Sequence, residues 1–160
     1  MEKEGPKHKI EVGLFSPNDI AFLKGVVEGK SIEEVAKSIG VKPGTVKAYK
    51  GVILRSYREL FPTKDPMAMA VFTALVNGLL KPVEFSWDEH GELDQEEEQI
   101  SSRLLMGKPD FVIASEVGVQ ISVVDEDIRR ICQKIGTNNR YGIIVFAYKK
   151  ASESLDKGRQ

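Results

Sequence analysis

The chain has 160 residues, of which 41% are hydrophobic and 29% charged. This composition excludes a disordered chain and suffices for one globular domain or for two of about 80 residues each. The sequence has no apolar run of about 18 residues, and no hydrophobic block follows Met1-Glu2-Lys3-Glu4, so we expect neither a membrane span nor a secretory signal, and a cytoplasmic location. Cys132, His8 and His90 are the only cysteine and histidines; we therefore expect no metal site, and no cofactor motif is present.

The net charge of −1 is unevenly distributed between the two halves of the chain. Residues 1–82 carry 13 basic and 9 acidic side chains, a net +4, whereas residues 83–160 carry 10 basic and 15 acidic ones, a net −5. This asymmetry suggests that the two halves meet different partners.

The sequence repeats itself at an offset of 78 residues. Small and apolar residues recur at this spacing over some forty positions, as in Gly29-Lys30 and Gly107-Lys108, Val35-Ala36 and Ile113-Ala114, Ile39-Gly40-Val41 and Val117-Gly118-Val119, Val46 and Val124, and Ile53 and Ile131. The pattern predicts two copies of one all-helical unit.

Helix signals in the first copy predict four helices. Ser16-Pro17 begins the first and Gly29 ends it, and Ser31 with Glu34 forms a capping box for a second that ends at Gly40. A third is predicted from about Gly44 to Leu60, and a fourth from Asp65 to Leu79. The first copy has an excess of four residues, Phe61–Lys64, before its fourth helix.

The second copy follows a segment with no sustained period, which we interpret as a linker at 81–92, pinned to one unit by Trp87. Helices are predicted at roughly Asp94–Met106, Pro109–Glu116, Ser122–Ile135 and Arg140–Lys150. The first unit then spans 14–80 and the second 93–150, between a polar head at 1–13 and a polar, frayed tail at 151–160. We expect Cys132, beside the apolar stripe of the third of these helices, to be a buried core thiol.

A short helix, a turn containing Gly40 and a longer helix with a polar outer face form the plan of a helix-turn-helix motif. The apolar stripe Val46, Tyr49, Ile53 and Tyr57 leaves Lys47, Ala48, Gly51, Arg55 and Arg58 on the opposite face. Small side chains at Ala48 and Gly51 would admit the helix to the major groove, with Lys47 as a donor to guanine and Ala48 against a thymine methyl. Candidate phosphate contacts are Lys42, Thr45, Lys50 and Arg55.

The stretch Phe15–Leu80, especially Glu28–Ala36 and Gly44-Thr45-Val46-Lys47, resembles the LuxR/GerE-type DNA-binding domain of bacterial transcriptional regulators. The tetrapeptide Gly-Thr-Val-Lys is also similar to region 4 of sigma factors. The resemblance implies a four-helix, winged-helix-like unit of the LuxR C-terminal effector type, with base-reading residues at Lys47, Ala48 and Gly51. It also implies dimerisation through the last helix. Lys50, where the family usually has an apolar residue, and Gly51, often a longer polar one, depart from the pattern.

The second copy keeps the apolar pattern and loses the basic one. Counting 78 residues from Lys47, Ala48, Gly51 and Arg55 leads to Asp125, Glu126, Arg129 and Gln133. Because carboxylates repel phosphates, we expect this helix not to read DNA. The second unit is therefore predicted to be a degenerate copy.

Two hypotheses follow. The first is a sequence-specific DNA-binding transcriptional regulator whose first unit binds double-stranded DNA, with the last helices forming an intramolecular pseudo-dimer or a homodimer. The alternative is an adaptor that binds a transcription protein, such as a sigma or RNA polymerase subunit, without DNA contact. We expect no enzymatic activity, since the sequence has no catalytic triad or phosphate-binding glycine loop.

Overall fold

The computed structural model describes residues 15–88 and 91–158, with side-chain burial described through Leu155. Within these residues the chain is helical and has no strand, which confirms the all-α class. A 3₁₀ turn at Pro82–Glu84 lies between the first four and the last four of its α-helices. These are α1 (Pro17–Glu28), α2 (Ile32–Ile39), α3 (Pro43–Leu60), α4 (Pro66–Val76), α5 (Gln95–Leu105), α6 (Asp110–Val117), α7 (Ile121–Ile135) and α8 (Arg140–Gly158).

The helices begin at the capping residues that the sequence indicates. Ser16 and Ser31 each form a reciprocal capping box, with Asp19 and Glu34 respectively. The side chains satisfy backbone N–H groups that have no partner inside the helix. The predicted starts of α1 and α2 are therefore confirmed.

The helix starts repeat with the offset found in the sequence. Helices α5, α6 and α7 each begin 78 residues after α1, α2 and α3. Left-handed glycines also recur at this spacing, with φ of 74° at Gly29 and 75° at Gly107. Helix α8 begins 74 residues after α4, because the connection before α4 contains the extra residues 61–64.

Equivalent positions of the two halves are also buried together. Relative exposure is 0–7% at five such pairs, which are Val35 and Ile113, Ala36 and Ala114, Val46 and Val124, Ile53 and Ile131, and Tyr57 and Ile135. All of them belong to one continuous core.

The two halves meet through their last helices in a reciprocal manner. Helix α4 packs against α8, α1 contacts α8, and α4 contacts α5. Lys64 Nζ donates a 2.9 Å hydrogen bond to the carbonyl of Met106, and Asn138 Nδ2 donates one of 2.8 Å to the carbonyl of Glu28. Met106 is the equivalent of Glu28, and Lys64 and Asn138 each lie two residues before the last helix of their half, so the contact is of the isologous kind seen in two-fold dimers.

The predicted linker is attached to the second half by its aromatic side chains. Phe85 and Trp87 are partly buried against the core, and the Trp87 ring lies 5.7 Å from that of Phe146 on α8, in an edge arrangement. Burial of these large apolar side chains offsets the entropy of ordering the segment. Trp87 thus pins the linker to the second half, as expected.

The predicted tail at 151–160 is wrong in extent, because α8 continues past Lys150 to Gly158. Residues 151–157 contain no proline or glycine, so nothing in this stretch interrupts the helix before Gly158. The predicted head at 1–13, like His8 and His90, lies outside the described residues. No helix in the described part of the chain has the length and apolar character that a membrane crossing requires.

Candidate nucleic-acid interface

Helices α2 and α3 are joined by a turn that the sequence fixes tightly. Gly40 ends α2 with φ of 73°, in the left-handed region that favours glycine. The N–H of Val41 then returns to the carbonyl of Ala36 at 3.0 Å, and α3 begins at Pro43. This geometry fixes the orientation of α3 relative to the short helix before it.

The inner face of α3 anchors it to the rest of the first half. Val46, Ile53 and Tyr57 have no exposed surface, and the Phe15 ring stacks on Tyr57 with centroids 6.0 Å apart. On α1, Asn18 Nδ2 donates a 3.1 Å hydrogen bond to the hydroxyl of Tyr49. These contacts hold the opposite face of α3 toward solvent.

The outer face of α3 carries most of the candidate DNA contacts. Lys47, Ala48 and Arg55 are exposed and Gly51 is partly exposed. A side chain added at Gly51 would meet only open space, and neither cation forms an ion pair with a described residue. Arg58, exposed on the same face, extends this cationic, sterically slim surface.

The remaining candidates lie at the edges of this surface. Exposed Lys42 is the N-cap of α3 and makes no side-chain capping bond, while Thr45 is partly buried in the first turn. Lys50 is exposed but lines a cavity of about 290 Å³ with Lys30 and Tyr141. Lys50 and Arg55 are five residues apart on a helix with 3.6 residues per turn, so their side chains lie on different sides of α3.

Helix α7, the equivalent of α3, presents a different surface. Asp125, Glu126, Arg129 and Gln133 are all exposed, and Arg129 donates a 2.5 Å hydrogen bond to Asp125. The guanidinium is therefore engaged by its own helix. This surface is acidic where the outer face of α3 is basic.

A buried acidic cluster, which the sequence analysis missed, lies between α5 and α7. Glu97 and Asp127 are 0% and 1% exposed. Lys134 Nζ donates a 2.6 Å hydrogen bond to Glu97, and Arg130 donates to Asp127. The repeat could have indicated the burial of Glu97, because Glu97 lies 78 residues after Asp19. Both residues are buried at the third position of their helices.

Glu96 and Asp127 occupy the positions equivalent to Asn18 and Tyr49, whose side chains bond to each other. A hydrogen bond to Asp127, together with its negative charge, raises the pKa of Glu96 above its usual value. Oδ2 of Asp127 has no donor among the described protein groups, and a protonated Glu96 would supply one. The second half therefore has two carboxyl groups where the first half has an amide and a hydroxyl that bond to each other.

Cys132 is half-buried rather than fully buried, a correction to the expectation of a core thiol. Its side chain packs against the core at the edge of α7, and burial raises the pKa of the thiol. Within residues 15–88 and 91–158, no group of three acidic, histidine or cysteine side chains is arranged to hold a metal ion.

No protein-family model, curated protein or solved structure matches this chain.

Proposed function

We propose that this protein is a sequence-specific DNA-binding transcriptional regulator built from two tandem LuxR/GerE-like helix-turn-helix units. The first unit, α1 to α4, reads the major groove with the outer face of α3. Lys47, Ala48 and Gly51 face the base edges, and Arg55, Lys42 and Thr45 meet phosphates at the rim. Lys50 contributes only long-range positive charge, because its position borders a cavity.

The observation that carries this proposal is the combination of charge and shape on α3. Lys47 and Arg55 are exposed with no ion-pair partner among the described residues, and the positions between them are small. A helix enters the major groove only if its outward side chains leave room for the backbone to approach the base edges. Free cations on a slim helix face satisfy both requirements for binding a polyanion.

The second unit is a degenerate copy in this proposal and makes no groove contact through α7. It contributes α8, which packs on α4 of the first unit. This packing supports an intramolecular pseudo-dimer, in place of the homodimer that the resemblance implies. A regulator of this kind acts where the genome is, which in a bacterium is the cytoplasm.

Fluorescence anisotropy of a labelled duplex across a salt series tests the proposal. For the full chain we expect an affinity that falls linearly with salt on logarithmic axes, with a slope near −0.9 per neutralised phosphate. Changing Lys47 and Arg55 to alanine together should weaken binding by about tenfold or more and flatten the slope by about one unit per lost phosphate contact.

The matched control removes the same charge elsewhere. Lys81 and Arg129 are exposed and lie outside α3, and changing both to alanine should leave binding nearly unchanged. Equal weakening in both double variants would mean that net charge alone attracts the duplex. Absent or salt-independent binding of the wild type would contradict the proposal.

The adaptor remains a second candidate because of one specific surface. Phe111 and Ile121, on α6 and α7, are 66% and 55% exposed and share the second half with exposed Asp125. Apolar side chains beside acids are typical of a protein-binding patch. Binding of a sigma or polymerase subunit that is lost in Phe111→Ala, with no DNA binding by the wild type, would favour the adaptor.

A further inference from the structure

A cleft between α5 and α8 lies away from the α3 surface. Its volume is about 170 Å³, and its apolar walls include Leu93, Leu105 and Phe146. A dry cavity of about 150 Å³ holds one benzene molecule. The cleft is therefore the size of a single aromatic ring.

Comparison of the two halves explains why this space is open. Ser101 and Ala147 line the cleft, and their equivalents in the first half are Leu23 and Thr73. Leu23 has no exposed surface and Thr73 is 6% exposed. Both exchanges replace a larger side chain by a smaller one, so the second half leaves unfilled the volume that the first half fills with its own core.

The cleft is lined by a buried hydroxyl at Ser101, an ammonium at Lys150 and one carboxylate, that of Glu98. Ser101 is 4% exposed, and its hydroxyl has no hydrogen-bond partner among the described residues. An unsatisfied buried hydroxyl costs free energy that a ligand can recover. At the rim, the Lys150 ammonium lies 5.5 Å above the Phe146 ring and forms no ion pair with a described residue.

We propose that the cleft between α5 and α8 is a binding site for a small aromatic carboxylate. The ring packs against Phe146, and the volume vacated by the exchange of leucine for Ser101 admits the carboxylate. The carboxylate accepts a hydrogen bond from the Ser101 hydroxyl and faces Lys150. The site does not depend on the nucleic-acid proposal, and its test uses no DNA.

A chemical-shift titration of the full chain with sodium benzoate tests this site. We expect saturable shifts at residues 101, 105 and 146. Ser101→Leu restores the residue of the first half and should abolish the saturable shifts. Ser115→Leu, which adds the same atoms at an exposed position on α6, should leave the dissociation constant unchanged.

Two further arms keep the result decisive. If Ser101→Leu does not fold, Ala147→Thr, the other first-half residue, should weaken benzoate binding in its place. Lys150→Ala should weaken benzoate about threefold, as for an exposed ion pair, and leave the neutral analogue benzamide unaffected. No saturable shifts, shifts confined to other residues, or an unchanged dissociation constant in both filling variants would overturn the proposal.

Discussion

At the scale of single residues, the α3 surface depends on small side chains as much as on charged ones. Gly51 is in the middle of α3, where glycine disfavours the helix, and a side chain there would meet open space. Packing on the inner face of α3 offsets this local cost. The fold therefore does not need glycine at position 51, whereas a slim outer face of α3 does.

Gly51→Ala should raise the free energy of unfolding by about 0.5–1 kcal/mol, because alanine loses less backbone entropy in a helix. Denaturant titration measures this. Gly40→Ala is the matched control, since its added side chain also meets open space but its φ is 73°, and it should lower stability by about 1 kcal/mol. If both substitutions shift the free energy of unfolding in the same direction, backbone conformation does not determine the effect of alanine at these positions.

Glu96 gives stability a pH dependence with a definite sign. Its pKa is raised, first by the hydrogen bond to Asp127, then by the charge of Asp127, by burial and by Asp94, while Arg130 opposes these effects. Glu97 and Lys134 complete the charged surroundings. A raised carboxyl pKa contributes stability that is complete below the unfolded pKa, near 4.3, and is lost as pH rises through the folded pKa.

We therefore expect Glu96→Gln to match the wild type at acidic pH and to be more stable at neutral pH, since glutamine keeps a donor without needing a proton. Urea unfolding at several pH values from about 4 to 8 measures the difference. Glu98→Gln, on the exposed side of α5, should show no such divergence. A wild type that gains stability over Glu96→Gln as pH rises would contradict this assignment.

At the scale of helices, capping residues and left-handed glycines made most boundaries predictable. Ser16, Ser31 and Asp94 cap helices locally, so their effect can be read without knowledge of the fold. The acidic cluster around Glu97 and the cleft beside Ser101 could not be found this way. Both depend on which residues of another helix lie opposite, which is a tertiary property.

The close approach of α1 and α2 is another feature that sequence patterns did not disclose. A side chain added at Gly25 would place its first carbon 2.4 Å from a methyl group of Val35, which is 3% exposed. In the second half Arg103 stands at the position of Gly25 and bonds to Glu116. The second half thus accommodates a long side chain at the position where the first half has room only for glycine.

Gly25→Ala should destabilise the protein by about 1–2 kcal/mol, because the clash with Val35 outweighs the gain in helix propensity. Thermal or denaturant unfolding measures the change. Adding Val35→Ala should produce less than the sum of the two single effects, since each change relieves the other. Additive effects would show that the two positions do not compete for space.

At the scale of the whole molecule, the reciprocal packing of α4 and α8 joins the two halves into one core. The repeat itself was visible in the sequence through Gly29 and Gly107 and the apolar positions between them. The ordered continuation of α8 beyond Lys150 was not, and of the segment after Leu80 only the attachment through Trp87 was predicted. The end of α8 has a polar sequence and is ordered because it continues a helix. The segment after Leu80 has no regular pattern and is ordered by contact with α8.

Because the core is continuous, the two halves should unfold together. Trp87 is the only tryptophan and reports on α8 through Phe146, whereas circular dichroism reports on all helices. We expect the two signals to coincide in a denaturant titration. Loss of the tryptophan signal while half of the helical signal persists would instead mean that the halves are independent.

The contrast between α3 and α7 is the centre of this account, and duplex binding by a charge-swapped chain tests it most directly. Lys47→Asp with Arg55→Gln gives α3 the residues that α7 carries at Asp125 and Gln133. Anisotropy across a salt series should then show binding by the wild type that weakens as salt rises, and no binding by the swapped chain even at low salt, with both chains equally helical by circular dichroism. Undiminished binding by the swapped chain would mean that α3 does not contact DNA.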